Sequence, residues 1–202
     1  VTAAGLVAAW ALILGNDSAS VAHDVEQRMD SVAQSLLEHV HRSLDPADLI
    51  LRQVADRIRR QGLDRFGQSR QEWEELAVAA ASLQQISALV VLDHQGRVMS
   101  YSARFPPALP GSFALRDYFL AHRRGDITFL GPLINTAWGQ RAFTYSRRVS
   151  DRDGNFAGVV VATLEPDYFR GFYRSLNLGP GGAVSLWRSD GRLLLREPTP
   201  AD

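Results

Sequence analysis

The sequence contains no cysteine and no lysine, and its formal net charge is zero. The absence of cysteine excludes disulfides, thiolate nucleophiles and Cys-ligated zinc or iron–sulfur sites. All 22 basic residues are arginines, and they are scattered among 22 acids rather than gathered into one stretch. Because nucleic-acid binding needs a concentrated positive surface, we expect no nucleic-acid partner.

Catalytic and metal-binding motifs are missing as well. The sequence has no Gly-x-Ser-x-Gly motif of the kind that marks many serine hydrolases, and its five histidines show no His-x-x-x-His spacing. The acids at Asp151 and Asp153 lack the twelve-residue loop and closing Glu of a calcium site, so a hairpin turn is the better interpretation. We therefore expect neither enzymatic activity nor a cofactor.

The chain begins with an apolar run over residues 1–14. A spanning helix needs roughly 20 such residues, so the run alone does not make one. We predict that residues 1–15 are the C-terminal part of a transmembrane helix that anchors the protein in a membrane. A signal-peptide core and a buried helix are the alternatives.

A long helix is predicted after this run. Apolar residues recur at steps of four and three, which places them on one stripe of a helix of about 45 residues. At Pro46 the helix either kinks or gives way to a second one, and another helix is predicted over 71–85. We interpret 16–86 as a helical stalk, whose stripe is formed by Val21, Val25, Met29, Val32, Leu36, Val40 and Leu44.

Two similar hairpins follow, 95 residues apart. Strands are predicted at 87–93 and 97–101 around one turn, and at 183–188 and 192–196 around another. When the two are aligned, Gly96 meets Gly191 and Arg97 meets Arg192. A repeat at this distance indicates two copies of one module, at 87–175 and 176–202, the second cut off soon after it begins. Chance similarity between two hairpins is the alternative.

The residues between the hairpins complete the first module. Strands are predicted at 127–130, 141–147 and 156–163, and short helices at 115–122 and 165–175. The predicted fold class is α+β: a long N-terminal helix packed on a PAS-like antiparallel five-stranded sheet, followed by the start of a second such module.

The order of these elements over residues 18–202 resembles the double-Cache sensors of bacterial histidine kinases, diguanylate cyclases and chemoreceptors. The resemblance is carried by Arg116-Asp-Tyr-Phe119, Gly131-Pro132, Gly154-x-x-x-Gly158-Val-Val, Asp167-Tyr-Phe169 and the closing hairpin. It implies an extracytoplasmic sensor, held in the bacterial inner membrane as a homodimer. The membrane-distal module would bind a small molecule in the periplasm, and the membrane-proximal one would pass the change to a cytoplasmic output domain.

The resemblance also implies a site. The family's amino-acid sensors hold the ligand carboxylate with an Arg-x-Trp-Tyr motif, and the matching residues are Arg116, Tyr118 and Phe119. A guanidinium suits this role because it grips a carboxylate with two hydrogen bonds. The family's ammonium-binding acid is replaced by Thr163, and its strand tyrosine by Leu133.

These two departures favour a carboxylate or similar small anion over an amino acid. Arg141 and Tyr145, together with Arg147, are candidates for further ligand contacts. For each of these residues, an ordinary surface or core role is the alternative.

A structural function is the second hypothesis. The chain would then bind no small molecule and would act as a dimerising stalk, its helix stripe pairing with a second copy. The two hypotheses differ in whether the residues around Arg116 line a pocket.

Overall fold

The computed structural model describes residues 19–198 except 108, 110, 137, 138, 177, 179 and 180. The predicted transmembrane segment, residues 1–15, lies outside this range. Within the described residues, no helix combines the length and the apolar character that crossing a bilayer requires.

The elements follow one another as the change of hydrophobic period predicts, helices first and then mainly strands. In chain order they are α1 (Ala19–Gln61), α2 (Leu63–Gln68), α3 (Arg70–Ala81), β1 (Ile86–Asp93), β2 (Val98–Tyr101), α4 (Asp117–Arg124), β3 (Thr128–Leu130), β4 (Ile134–Asn135), β5 (Arg141–Ser150), β6 (Phe156–Leu164), α5 (Pro166–Ser175), β7 (Val184–Trp187) and β8 (Leu193–Glu197).

Helix α1 is a single helix of 43 residues. Pro46 lies inside it, so the alternative in which a second helix begins there is wrong. Proline removes one backbone hydrogen bond, and the helix continues because its apolar stripe remains buried on both sides of that residue. Leu36 and Val40 are buried before Pro46, and Leu51 and Ile58 after it.

Two shorter helices join α1 to the sheet. The first of them, α2, follows α1 after Gly62 and buries Phe66. Helix α3 begins directly after Ser69, whose side chain accepts a hydrogen bond of 3.2 Å from the backbone N–H of Glu72. This side-chain cap satisfies one of the backbone donors that a helix leaves unpaired at its start.

The main sheet is antiparallel, and its strand order is β2-β1-β6-β5-β3, with β4 also paired to β5. Strands β3 and β4 pair with successive parts of the same strand, at 145–147 and 141–142 of β5. The sheet is therefore five strands wide, as predicted, although six strands build it. The prediction missed β4 because two residues are too few to show an alternating pattern.

One face of the sheet packs against α4. Val90 and Leu92 of β1 and Val159 and Val161 of β6 form a buried cluster, and Phe119 of α4 completes it with no exposed surface. Side chains two residues apart on a strand point to the same face, which is why the alternate positions 90, 92, 159 and 161 meet here.

The described residues group into two compact units. One comprises 44–165, with the C-terminal part of α1, helices α2 to α4 and the six-stranded sheet; the other comprises the remaining part of α1 with residues from Pro166 onward. This grouping differs from the predicted boundaries after 86 and after 175, because the last part of α1 packs with the sheet.

The second unit contains the predicted C-terminal hairpin, formed by β7 and β8. Its turn carries Gly191 at φ 81, and the turn of the first hairpin carries Gly96 at φ 76. Both turns need a left-handed residue, which glycine adopts without strain. The two predicted hairpins are present, and their origin as copies of one module stays a prediction.

Candidate ligand-binding site

A small cavity lies over one face of the main sheet. Its floor is formed by alternate residues of three neighbouring strands: Val90 of β1, Val161 and Thr163 of β6, and Thr144 of β5. The pairing register places Val90 opposite Val161 and Thr144 opposite Thr163, so the four side chains form a compact patch. Two of them are apolar and two carry hydroxyls.

The rest of the lining comes from the start of α4 and from β4. Phe113, Arg116 and Tyr118 belong to the segment that enters α4, and Ile134 and Thr136 to the segment around β4. The predicted helix over 115–122 begins two residues later than expected, so Arg116 is its extended N-cap residue, with ψ 142. This places Arg116 outside the helix and beside Tyr118 on the cavity wall.

Arg116 is the charged residue of the cavity. The described lining contains no Asp and no Glu. Across the part of the chain that the structure describes, the Arg116 guanidinium forms no ion pair and no side-chain hydrogen bond. A half-buried guanidinium without an acidic partner favours the binding of an anion from solution.

Tyr118 contributes a neutral hydroxyl. Burial raises the pKa of this phenol, and the nearby Arg116 charge lowers it by a smaller amount. The hydroxyl therefore keeps its proton at ordinary pH. The free volume of the cavity is about 20 Å³, room for one or two water molecules, so a larger ligand has to displace part of the lining.

Three of the seven predicted site residues line this cavity: Arg116, Tyr118 and Thr163. The Thr163 hydroxyl is already in use, since it donates to the carbonyl of Ala88 at 3.1 Å and lies 2.9 Å from the Ser87 hydroxyl. The position supplies no negative charge. A neutral side chain therefore lines the cavity at the position where the family's amino-acid sensors have an acid.

The other four predicted residues, Phe119, Arg141, Tyr145 and Arg147, lie outside this lining. Phe119 is in the core behind the cavity, edge-on to Phe156 with ring centroids 5.5 Å apart. Its neighbour Tyr118 takes the cavity side because successive helical residues point in different directions. Arg141 is exposed at the start of β5 and does not reach the cavity lining.

The Tyr145 hydroxyl contacts the ion pair between Asp48 and Arg147. This hydroxyl lies 3.4 Å from the carboxylate of Asp48, which Arg147 also contacts at 2.8 Å. Burial and the Asp48 charge raise the pKa of Tyr145 to about 12. Tyr145 is one residue from Thr144 and so points to the opposite face of the sheet. That face packs against α1, which explains why the two predicted contacts at 145 and 147 are not in the cavity.

The cavity also contains residues that sequence reasoning did not select: Val90, Phe113, Ile134, Thr136, Thr144 and Val161. Leu133 was expected at the position of the family's strand tyrosine. The cavity is lined by the next residue, Ile134, and not by Leu133. The alternation along β5 could have identified Thr144, because it places Thr144 on one strand face with Ala142 and Ser146. In the structure Thr144 lies opposite Thr163.

A family model described as Cache domain matches residues 14–201. The chain belongs to the Cache family. Its residues also match the extracellular domain of rpHK1S-Z16, which is described as a histidine kinase, at 35% identity and a TM-score of 0.76. This match covers 89% of the chain and 73% of that domain. The predicted resemblance and fold class are thereby confirmed.

More distant solved structures share the fold. The ligand-binding domain of the Pseudomonas fluorescens chemoreceptor CtaA, in complex with L-serine, matches at 15% identity with a TM-score of 0.70, covering 88% of the chain and 74% of that domain. The sensor domain of the V. cholerae histidine kinase DctB matches at 16% identity and a TM-score of 0.56. This match covers 75% of the chain and 58% of that domain. A comparison with curated protein sequences gives no match.

The family defines the broad function of this Cache domain. It is an extracellular sensor domain of the kind found in histidine kinases and chemoreceptors, and such domains bind ligands rather than catalyse reactions.

Proposed function

We propose that this Cache domain senses a small carboxylate, or a similar anion, in the cavity beside Arg116. The observation that carries the proposal is the Arg116 guanidinium, which lines the cavity without an acidic partner in the described chain. Relatives of the same fold are solved with L-serine and other amino acids. The lack of an acid in the described lining favours a ligand without an ammonium group.

We also propose the setting of this sensor. The apolar run at residues 1–14 supports an anchor in the bacterial inner membrane, with the domain facing the periplasm. The 35% identical relative supports a histidine kinase rather than a diguanylate cyclase as the output. Met29 and Val32, the half-buried positions of the α1 stripe before Leu36, support a homodimer contact.

The proposed signal passes from the cavity to α1. Strand β5 contributes Thr144 to the cavity. Three residues further along the same strand, Arg147 donates a hydrogen bond of 2.8 Å to Asp48 of α1. A ligand that moves β5 therefore acts directly on the helix. Such a ligand can shift an equilibrium between two conformations of the domain only by the difference between its affinities for them.

A thermal-shift screen of the purified protein against small carboxylates, amino acids and other metabolites tests the proposal. A ligand at a hundredfold excess over its Kd stabilises a fold by about 2.7 kcal/mol, which is readily measured. Each hit is repeated on Arg116→Ala and, as the matched control, on Arg141→Ala.

We expect a carboxylate whose stabilisation is lost in Arg116→Ala and kept in Arg141→Ala. A hit that survives Arg116→Ala would move the site elsewhere. No hit, together with a dimer in solution, would favour the ligand-free dimerising stalk.

A further inference from the structure

Thr144 is a buried residue with an unused hydroxyl. Its side chain lines the cavity, the residue is 1% exposed, and its Oγ1 has no hydrogen-bond partner among the described residues. A buried hydroxyl without a partner loses the hydrogen bonds that it would make with water, so such groups are rarely kept without a use.

The surroundings hold this hydroxyl in place. The backbone N–H of Gly131 donates to the carbonyl of Thr144 at 2.7 Å, and a Cβ added to Gly131 would lie 2.3 Å from Thr144 Oγ1. Glycine at 131 therefore leaves the space that the hydroxyl occupies. Any larger side chain there would displace it.

The hydroxyls of the other two threonines in the cavity already donate hydrogen bonds to the protein. Thr163 donates to the carbonyl of Ala88 at 3.1 Å, and Thr136 donates to the carbonyl of Gln140 at 2.9 Å. Thr144 is thus the one threonine in the described lining whose hydroxyl can both donate to and accept from a ligand.

We infer that the ligand is a short monocarboxylate with a neutral oxygen next to its carboxylate, a 2-hydroxy or 2-oxo acid. The inference rests on the proposed carboxylate binding at Arg116 and adds Thr144 as the residue that recognises the second oxygen. Arg116 and Thr144 line the same small cavity, so the two polar groups of the ligand that they would contact lie close together. Val90, Ile134 and Val161 would contact its short carbon chain.

The same lining disfavours the corresponding amino acid. Thr144 offers an ammonium one neutral contact, and the described lining has no carboxylate to balance its charge. Removing an ammonium from water without a counter-charge is costly, whereas a neutral hydroxyl or ketone needs only one hydrogen bond.

Four three-carbon acids that differ only at the second carbon test the inference: L-lactate, pyruvate, propionate and L-alanine. Their affinities are measured by isothermal titration on the purified protein, on Thr144→Val and on Thr163→Val. Valine has the shape of threonine without the hydroxyl. Thr163→Val is the matched control, because it removes a cavity hydroxyl that is already bonded to the protein.

We expect the unaltered protein to bind lactate or pyruvate at least about tenfold more tightly than propionate, with alanine weakest. Thr144→Val should reduce that preference to near one while leaving the propionate affinity unchanged, and Thr163→Val should keep the preference. The ligand-free Thr144→Val protein should melt no lower than the unaltered one, since it loses no hydrogen bond.

Equal binding of lactate and propionate, tighter binding of alanine, or a preference that survives Thr144→Val would each overturn this inference. All three leave a carboxylate at Arg116 standing. If none of the four acids binds, the inference also fails. The proposed function then fails as well only if larger carboxylates give no binding that depends on Arg116.

Discussion

Asp48 of α1 and Arg147 of β5 form a partly buried ion pair, with Oδ1 and Nη1 2.8 Å apart and both side chains 17% exposed. The second oxygen of Asp48 is 2.7 Å from Arg52 on the next helical turn, and the Tyr145 hydroxyl also contacts this carboxylate. The pair joins the C-terminal part of α1 to the sheet. It also accounts for two residues that the sequence suggested as ligand contacts.

Breaking this pair should destabilise the fold. Arg147→Ala leaves the partly buried Asp48 carboxylate with fewer partners, and we expect it to lower the free energy of unfolding by about 2 kcal/mol. Arg42→Ala is the control, because its ion pair with Glu38 is exposed and should contribute little. Urea unfolding measures both. Equal effects would show that the Asp48 pair is no stronger than a surface pair.

Gly158 should not tolerate a side chain. A Cβ at this position would lie 2.1 Å from the backbone oxygen of Leu92 on the paired strand, so Gly158→Ala must separate β1 from β6. We expect a loss of at least about 2 kcal/mol in the free energy of unfolding. Gly171→Ala, in helix α5, meets nothing within 4 Å and should stabilise by about 0.5–1 kcal/mol. A tolerated Gly158→Ala would contradict the pairing register.

Acid should weaken the fold through His122. This buried imidazole contacts the Asp126 carbonyl at 2.7 Å and the Ser146 hydroxyl at 2.8 Å. Burial lowers its pKa to about 4; the Asp126 contact raises the pKa, and nearby Arg148 and Arg147 lower it further, each by less than burial does. Because the unfolded chain gains the proton first, the stability present above about pH 6.5 is lost as the pH falls towards 4.

We expect this loss to be about 3 kcal/mol, measured by urea unfolding at a series of pH values. His39 adds to the same slope, since burial and the neighbouring Arg42 lower its pKa too. His122→Gln should flatten the curve. A curve that is unaffected by His122→Gln would assign the acid sensitivity to other groups.

Tyr145→Phe separates ligand contact from structural support. Its hydroxyl faces Asp48 rather than the cavity, so we expect unchanged carboxylate affinity and a slightly lower melting temperature. Tyr118→Phe, in the cavity wall, should lower the affinity instead. Titration of both variants with the same carboxylate checks this. A larger affinity loss in Tyr145→Phe would show that the sequence-based assignment was right.

Local patterns were enough to predict most elements of the fold. The alternation of apolar residues and the glycines of the two turns identified five strands of the main sheet and the C-terminal hairpin. Strand β4 escaped because Ile134–Asn135 is too short for a pattern. The grouping of the last part of α1 with the sheet escaped because it depends on contacts such as Asp48–Arg147, which are 99 residues apart.

The candidate site was predictable only in part. Arg116, Tyr118 and Thr163 followed from the family motif, whereas Tyr145 was on the wrong face of its strand for the cavity. The face of β5 that meets the cavity is set by its register with β6, where Thr144 lies opposite Thr163. A single sequence shows which residues share a face but not which element covers that face.

The most direct test of ligand binding at Arg116 is a crystal structure of the protein with a carboxylate identified by the thermal-shift screen. We predict that the carboxylate lies within about 3 Å of the Arg116 guanidinium, held by two hydrogen bonds, in a cavity enlarged by movement of its lining. A ligand bound elsewhere, beside Arg141 or Tyr145 or on the surface, with the Arg116 cavity unchanged, would contradict the account.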